Sequence, residues 1–197
     1  ENYTDETHQR DYGQYFYCYT KGLSNFHFYQ DIKVHKAGWY LLRCNGFTTQ
    51  VNSKDKKVSA RLMMTVVKAD GSIDNTVYSA ATLNQLSVAD AKQLMDKDDA
   101  GEGAGRAFFN GKYENQVQVC LDEKTLGMGT ISETNPVTLR IGYYVDADCD
   151  LHPGDVTCVD NFKLLYAGPR RNPELILDED KTELMYLTNA KDLYKNT

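Results

Sequence analysis

The chain has 197 residues, 25% of them charged, and a net charge of −6, a length that suits one domain and an appendage rather than two full domains. A hydrophobic share of 41% excludes wholesale disorder, and no apolar run reaches the roughly 20 residues of a membrane-spanning helix. The acidic balance, with no Lys/Arg run longer than a pair such as Lys56-Lys57 or Arg170-Arg171, argues against nucleic acid, because phosphate contacts need massed positive charge.

Fourteen tyrosines and seven phenylalanines beside one tryptophan favour strands with aromatic, polar-tipped surfaces. The chain opens on Glu1 rather than Met, which points to a removed signal segment or other upstream sequence. Strand signals then run in order. Residues 14–20, 25–34 and 38–47 are aromatic and β-branched, punctuated by Lys-Gly and Ala-Gly turns. A polar loop over 52–57 precedes a strand over 58–68, and Ala69-Asp70-Gly71-Ser72 turns into a strand over 75–79. Residues 113–122, 137–146 and 155–167 complete a set of roughly eight short strands, the pattern of an antiparallel β-sandwich or jelly roll.

One excursion interrupts them. Residues 87–95 read as a helix with Ser87 as N-cap and Asp90 three residues on, a variant of the capping box. The charged, Gly-rich stretch 96–106 reads as a long surface loop. Its glycines do not form a phosphate loop, since no strand-turn-helix context surrounds them and acids crowd them. After Gly168, residues 169–173 carry a linker signal, so the expected division is a sandwich domain over 1–168 and a linker with the start of a following segment over 169–197. Within that segment residues 182–195 have the spacing of an amphipathic helix, with Leu184, Leu187 and Leu193 as its apolar points.

Period-two alternation sorts the side chains by face. Tyr40, Leu42 and Cys44 oppose Trp39, Leu41 and Arg43. Val117, Val119 and Leu121 oppose Gln116, Gln118 and Cys120. Val137, Leu139, Ile141 and Tyr143 oppose Thr138, Arg140, Gly142 and Tyr144. One set builds the core. The other places Trp39, Arg43, Gln116, Gln118, Arg140 and Tyr144 on a sheet surface, where an aromatic beside planar donors and amides suits a sugar ring and its hydroxyls. The competing reading is the ordinary wet face of an antiparallel sheet.

Phe162 and Leu164 alternate inward, which puts Asp160 on the core-facing parity. A carboxylate there needs a partner: a structural calcium ion, or a turn cap or arginine. Asp146, Asp148 and Asp150 resemble the start of a calcium loop, but Leu151 and Thr157 break the EF-hand pattern, leaving an acidic hairpin tip. Cys18, Cys44, Cys120, Cys149 and Cys158 contain no Cys-x-x-Cys pair. They read as core residues or as one disulfide between Cys149 and Cys158, and they do not decide the redox compartment. His8, His27, His35 and His152 have no metal-ligand spacing, and no nucleophile-elbow motif exists, so no catalytic motif supports an enzyme.

Three segments carry a resemblance. Tyr29-Gln30-x-Ile32-x-Val34 with Ala37-Gly38-Trp39-Tyr40-x-Leu42 resembles the opening hairpin of galactose-binding-like jelly rolls. Phe108/Phe109-Asn110-Gly111-Lys112-Tyr113 with Val117-x-Val119 resembles their middle strands. Leu139-Arg140-Ile141-Gly142 with Val159-Asp160-Asn161-Phe162-Lys163-Leu164-Leu165-Tyr166 resembles their closing pair, Asp-Asn-Phe-x-Leu being the most specific element. The resemblance spans residues 10–168 and extends to carbohydrate-binding modules of multidomain secreted or surface proteins of gut bacteria. It implies a non-catalytic, glycan-binding module, secreted, cell-surface or periplasmic, with a structural calcium whose ligands would include Asp160. The tail at 175–179 resembles the first strand of the domain that often follows such modules. The alternatives are a protein-interaction or adhesion module without a sugar site, and a part of a glycan-active enzyme.

Overall fold

A computed structural model describes residues 2–5, 10–14, 16–19, 26–49, 60–97, 103–145, 156–169 and 183–186. Twelve strands and three short helices follow in the order β1 (Asn2–Asp5), β2 (Arg10–Gln14), β3 (Phe16–Tyr19), β4 (Phe26–Val34), β5 (Gly38–Thr49), β6 (Ala60–Val67), β7 (Ile73–Thr82), β8 (Asn84–Leu86), α1 (Val88–Asp96), α2 (Ala104–Phe109), β9 (Glu114–Leu121), α3 (Glu123–Leu126), β10 (Val137–Val145), β11 (Val156–Gly168) and β12 (Glu183–Tyr186). β1 and β2 form a separate antiparallel pair. The others make two sheets.

The first sheet has the order β4-β10-β6-β7, antiparallel throughout. The second is built on the β11–β5 pair, with β3 and β12 along the free side of β11 and β9 and β8 along the free side of β5. Only the three-residue β5–β8 pairing is parallel. The predicted all-β sandwich is therefore present.

The core lies between the sheets and is the apolar set that alternation selects. Tyr40, Leu42, Cys44, Val117, Val119 and Leu121 from the second sheet meet Leu62, Met64, Leu139, Ile141 and Tyr143 from the first in one buried cluster. β9 shows the rule cleanly: Val117, Val119 and Leu121 are buried while Gln116 and Gln118 are exposed. Burial of this apolar surface, at about 25 cal/mol per Å², is the main force holding the two sheets together.

A second, smaller cluster sits on the opposite side of the second sheet. Phe47 and Cys158, directly opposite each other on β5 and β11, are covered together with Val156 by Ala91 of α1 and by Ala104 and Phe108 of α2. Phe47, Phe108 and Tyr113 form an aromatic triad with ring centroids 5.5 to 6.4 Å apart. α1 begins as the sequence predicts: the Ser87 hydroxyl accepts from the Asp90 N–H at 3.1 Å and donates to the Asp90 carboxylate at 2.7 Å.

Several expectations change. Phe108 and Phe109, matched to a strand by the resemblance, belong to α2, where Phe108 faces Phe47. Arg106, expected in the loop, lies in the same helix. Residues 183–186, expected in a helix, form β12 on β11, with Lys163–Tyr186 to Tyr166–Glu183 in register. Cys44 and Cys120 are free thiols, Cys158 is buried against Phe47, and Cys149, its expected partner, lies outside the described residues. The loop at 52–57, the Gly-rich residues 98–102, the linker 170–173 and the tail strand 175–179 lie outside the described residues.

Candidate binding face

The second sheet's outward surface is set by the antiparallel register of three strands. Residues directly opposite in such a ladder point to the same face. On β9, β5 and β11 the outward rows are Gln116, Arg43 and Lys163; then Gln118, Leu41 and Leu165; then Cys120, Trp39 and Gly168. Trp39, Arg43, Gln116 and Gln118, four of the six predicted binding residues, thus share one surface. Gln116, Gln118 and Lys163 are exposed, Trp39, Leu41 and Arg43 half-buried, and Leu165 buried. The Arg43 guanidinium approaches the Glu114 carboxylate, Nε to Oε1 at 3.5 Å. Two cations, Arg43 and Lys163, stand opposite each other across neighbouring strands.

Arg140 and Tyr144 are not part of this surface. They lie on β10, in the first sheet, on the side away from the core, so the predicted six-residue face divides between opposite sides of the sandwich. The alternation within β10 was read correctly, but alternation carries no information about which sheet a strand joins. On its own side Arg140 is fully engaged. Its Nε and Nη2 donate to the two Asp31 oxygens at 2.8 Å each, and its guanidinium lies 3.9 Å from the centre of the Tyr29 ring. The Asp31 hydrogen bonds hold the guanidinium more firmly protonated than usual. The Tyr144 hydroxyl hydrogen-bonds that of Tyr78, and its ring meets His27 edge-on at 5.8 Å.

Asp160 also moves. β11 slips register by one residue between Asp160 and Lys163, and Asn161 between them has a left-handed φ of 53°. Such a bulge reverses the parity of the strand. Asp160 therefore pairs with Asn45 on the outward side, in line with Cys158 and Phe47, while Val159 and Phe162 on either side both face the core. Asp160 is only 9% exposed, and burial raises its carboxyl to a pKa of about 6, partly offset by the Asn161 backbone N–H.

Around Asp160 the polar groups are asparagines. Asn161 Nδ2 donates to Asn45 Oδ1 at 3.2 Å and to the Phe108 carbonyl at 3.4 Å. Asn45 Nδ2 donates to the Lys112 carbonyl at 2.7 Å. On the core side Asn115 ties β9 to β5 and β8, donating to the Gly46 and Tyr113 carbonyls at 2.9 Å and accepting from the Asn84 N–H at 2.8 Å. Sequence reading carried Asn161 only within the Asp-Asn-Phe-x-Leu element and gave Asn45 and Asn115 no role, since single polar residues inside a strand carry no signal of what they bind.

Among the described residues no group of three His, Cys, Asp or Glu side chains gathers to hold a metal. Two oxygens of this network, on Asn45 and Phe108, accept from Asn161. Asp146, Asp148 and Asp150 lie outside the described residues, as do His8, His152 and Cys149. His27 packs on Tyr144, and His35 Nδ1 faces Glu133 at 3.4 Å, so the two described histidines serve separate contacts. No described helix is long and apolar enough to cross a membrane. No family model, curated protein or solved structure matches the chain.

Proposed function

We propose that this domain is a non-catalytic, glycan-binding module of a secreted or cell-surface protein, of the galactose-binding-like jelly-roll kind, with its site on the outward face of the β9-β5-β11 sheet. The observation that carries the reading is the β5–β9 register, which sets Trp39, Arg43, Gln116 and Gln118 side by side on one surface. An indole offers an apolar face for the C–H side of a sugar, and the amides and guanidinium supply donors and acceptors for its hydroxyls without a metal. Leu41, between Arg43 and Trp39 on this face, favours a second reading, a protein-binding surface, because an apolar centre with a polar rim is the anatomy of an interface.

A glycan array separates the two. Binding to a defined sugar class, lost in Trp39→Ala with the melting transition retained, supports the glycan site. Truncating one stacking anchor is expected to weaken binding by about 1–3 kcal/mol. An array without binders favours the protein surface, and a Trp39→Ala chain that no longer melts cooperatively would make Trp39 a structural residue instead.

A further inference from the structure

A separate hollow lies at the helical end of the second sheet. It has a volume of about 320 Å³ and is lined by Leu94 of α1, by Arg106 and Ala107 of α2, and by Asn110, Lys112 and Tyr113 of the turn into β9. That volume falls in the range of small-molecule sites. Among the described residues that line it, the two charged ones, Arg106 and Lys112, are both basic, although the whole chain carries a net charge of −6. Arg106 is held by other contacts, so the case rests on Lys112 and Asn110 as free-standing donors, with the Arg106 charge behind them. Trp39 is six residues down β5 from Asn45, about 20 Å away at strand spacing, so the aromatic anchor of the sheet face is not part of this hollow.

The walls are fixed in place. Among the described residues the only non-glycine positions with positive φ are Tyr113, at 58°, and Asn161, at 53°, and both frame this corner. Tyr113 is wedged edge-on against Phe47 and Phe108, while its carbonyl accepts from Gly46 and Asn115. The Lys112 carbonyl is bound by Asn45, and Asn161 reaches the end of α2. Left-handed residues that the surroundings over-determine are found preferentially where a site is held ready. Two cations near an amide and a phenol, on a rigid wall with Leu94 and Ala107 as an apolar flank, form a receptor for an oxyanion attached to a small organic body.

We propose that this hollow binds a small organic oxyanion, a carboxylate or phosphate ester borne on a compact polar body such as a sugar. The site goes beyond the sheet-face reading and does not depend on it. The test is a nuclear magnetic resonance titration of the full chain with glucuronate, glucose 6-phosphate and, as the neutral control, glucose. One or both anions should shift the amides of Leu94 and of residues 106–113, more weakly at raised salt, and which of the two does so identifies carboxylate or phosphate as the source. Lys112→Gln, on an exposed side chain, should weaken the anion about fivefold or more at unchanged melting temperature. The proposal fails if neither anion shifts these amides, if glucose shifts them equally, or if Lys112→Gln binds as the parent does.

Discussion

The two outward faces of this sandwich each carry an arginine and aromatic side chains, and they differ in how these are held. On the first sheet, Arg140 is held by both oxygens of Asp31 and lies on Tyr29, while Tyr144 is tied to Tyr78 and His27. Gly142, between Arg140 and Tyr144, carries no side chain, and a methyl group there would run into the Phe28 carbonyl. That face is closed by its own side chains. On the second sheet, α1 and α2 cover the Phe47 end, and the other end presents Trp39, Leu41 and Arg43 between exposed glutamines and Lys163. Residue type alone therefore does not decide whether a face is closed. What distinguishes the two is how tightly cross-strand neighbours pair, Arg140 with Asp31 at 2.8 Å against Arg43 with Glu114 at 3.5 Å.

The largest effect expected from breaking this contrast is at the helical cap. Phe47→Ala removes the ring that α2 and Tyr113 pack on and should cost about 3–5 kcal/mol in denaturant unfolding. A loss below about 1 kcal/mol would mean that the helices are not anchored there.

Asp160, beneath the same cap, tests the bulge. Its folded pKa of about 6 stands above the usual value of 3.8, so the fold favours the neutral carboxyl. This favourable contribution is complete below about pH 4 and is lost as pH rises through 6. At neutral pH the ionised group is a cost of up to about 3 kcal/mol, taking the shift at 1.36 kcal/mol per unit. Asp160→Asn should therefore raise the melting temperature at pH 7 and flatten its fall between pH 4 and 6. A variant less stable than the parent at pH 7 would show that the carboxylate is needed in its charged form, by a metal or another cation.

The smallest effect compares the two arginines. A double-mutant cycle on Arg140 and Asp31 should give a coupling of about 1 kcal/mol, because the bidentate pair is half-buried. The same cycle on Arg43 and Glu114, at 3.5 Å and more exposed, should give a few tenths. Equal couplings would erase the distinction between a closed and an open face.

Much of this architecture was present in local patterns. Period-two alternation marked the buried sets of β5, β9 and β10, and Ser87 with Asp90 marked the start of α1, because a side chain's face and a helix cap depend on a few adjacent residues. α2 escaped because its apolar Ala-Phe-Phe stretch is too short to show a helical period. The helix owes its place to Phe47, distant in sequence.

Sequence by itself determined the sandwich class and which residues of each strand face together. Tertiary structure decided which strands share a sheet, so that Trp39, Arg43, Gln116 and Gln118 came together and Arg140 and Tyr144 went to the far side. It also decided the face of Asp160, since one left-handed residue at Asn161 reverses the alternation of everything before it. Strand pairing and bulges are settled by contacts between segments far apart in the chain, which alternation within one strand does not encode.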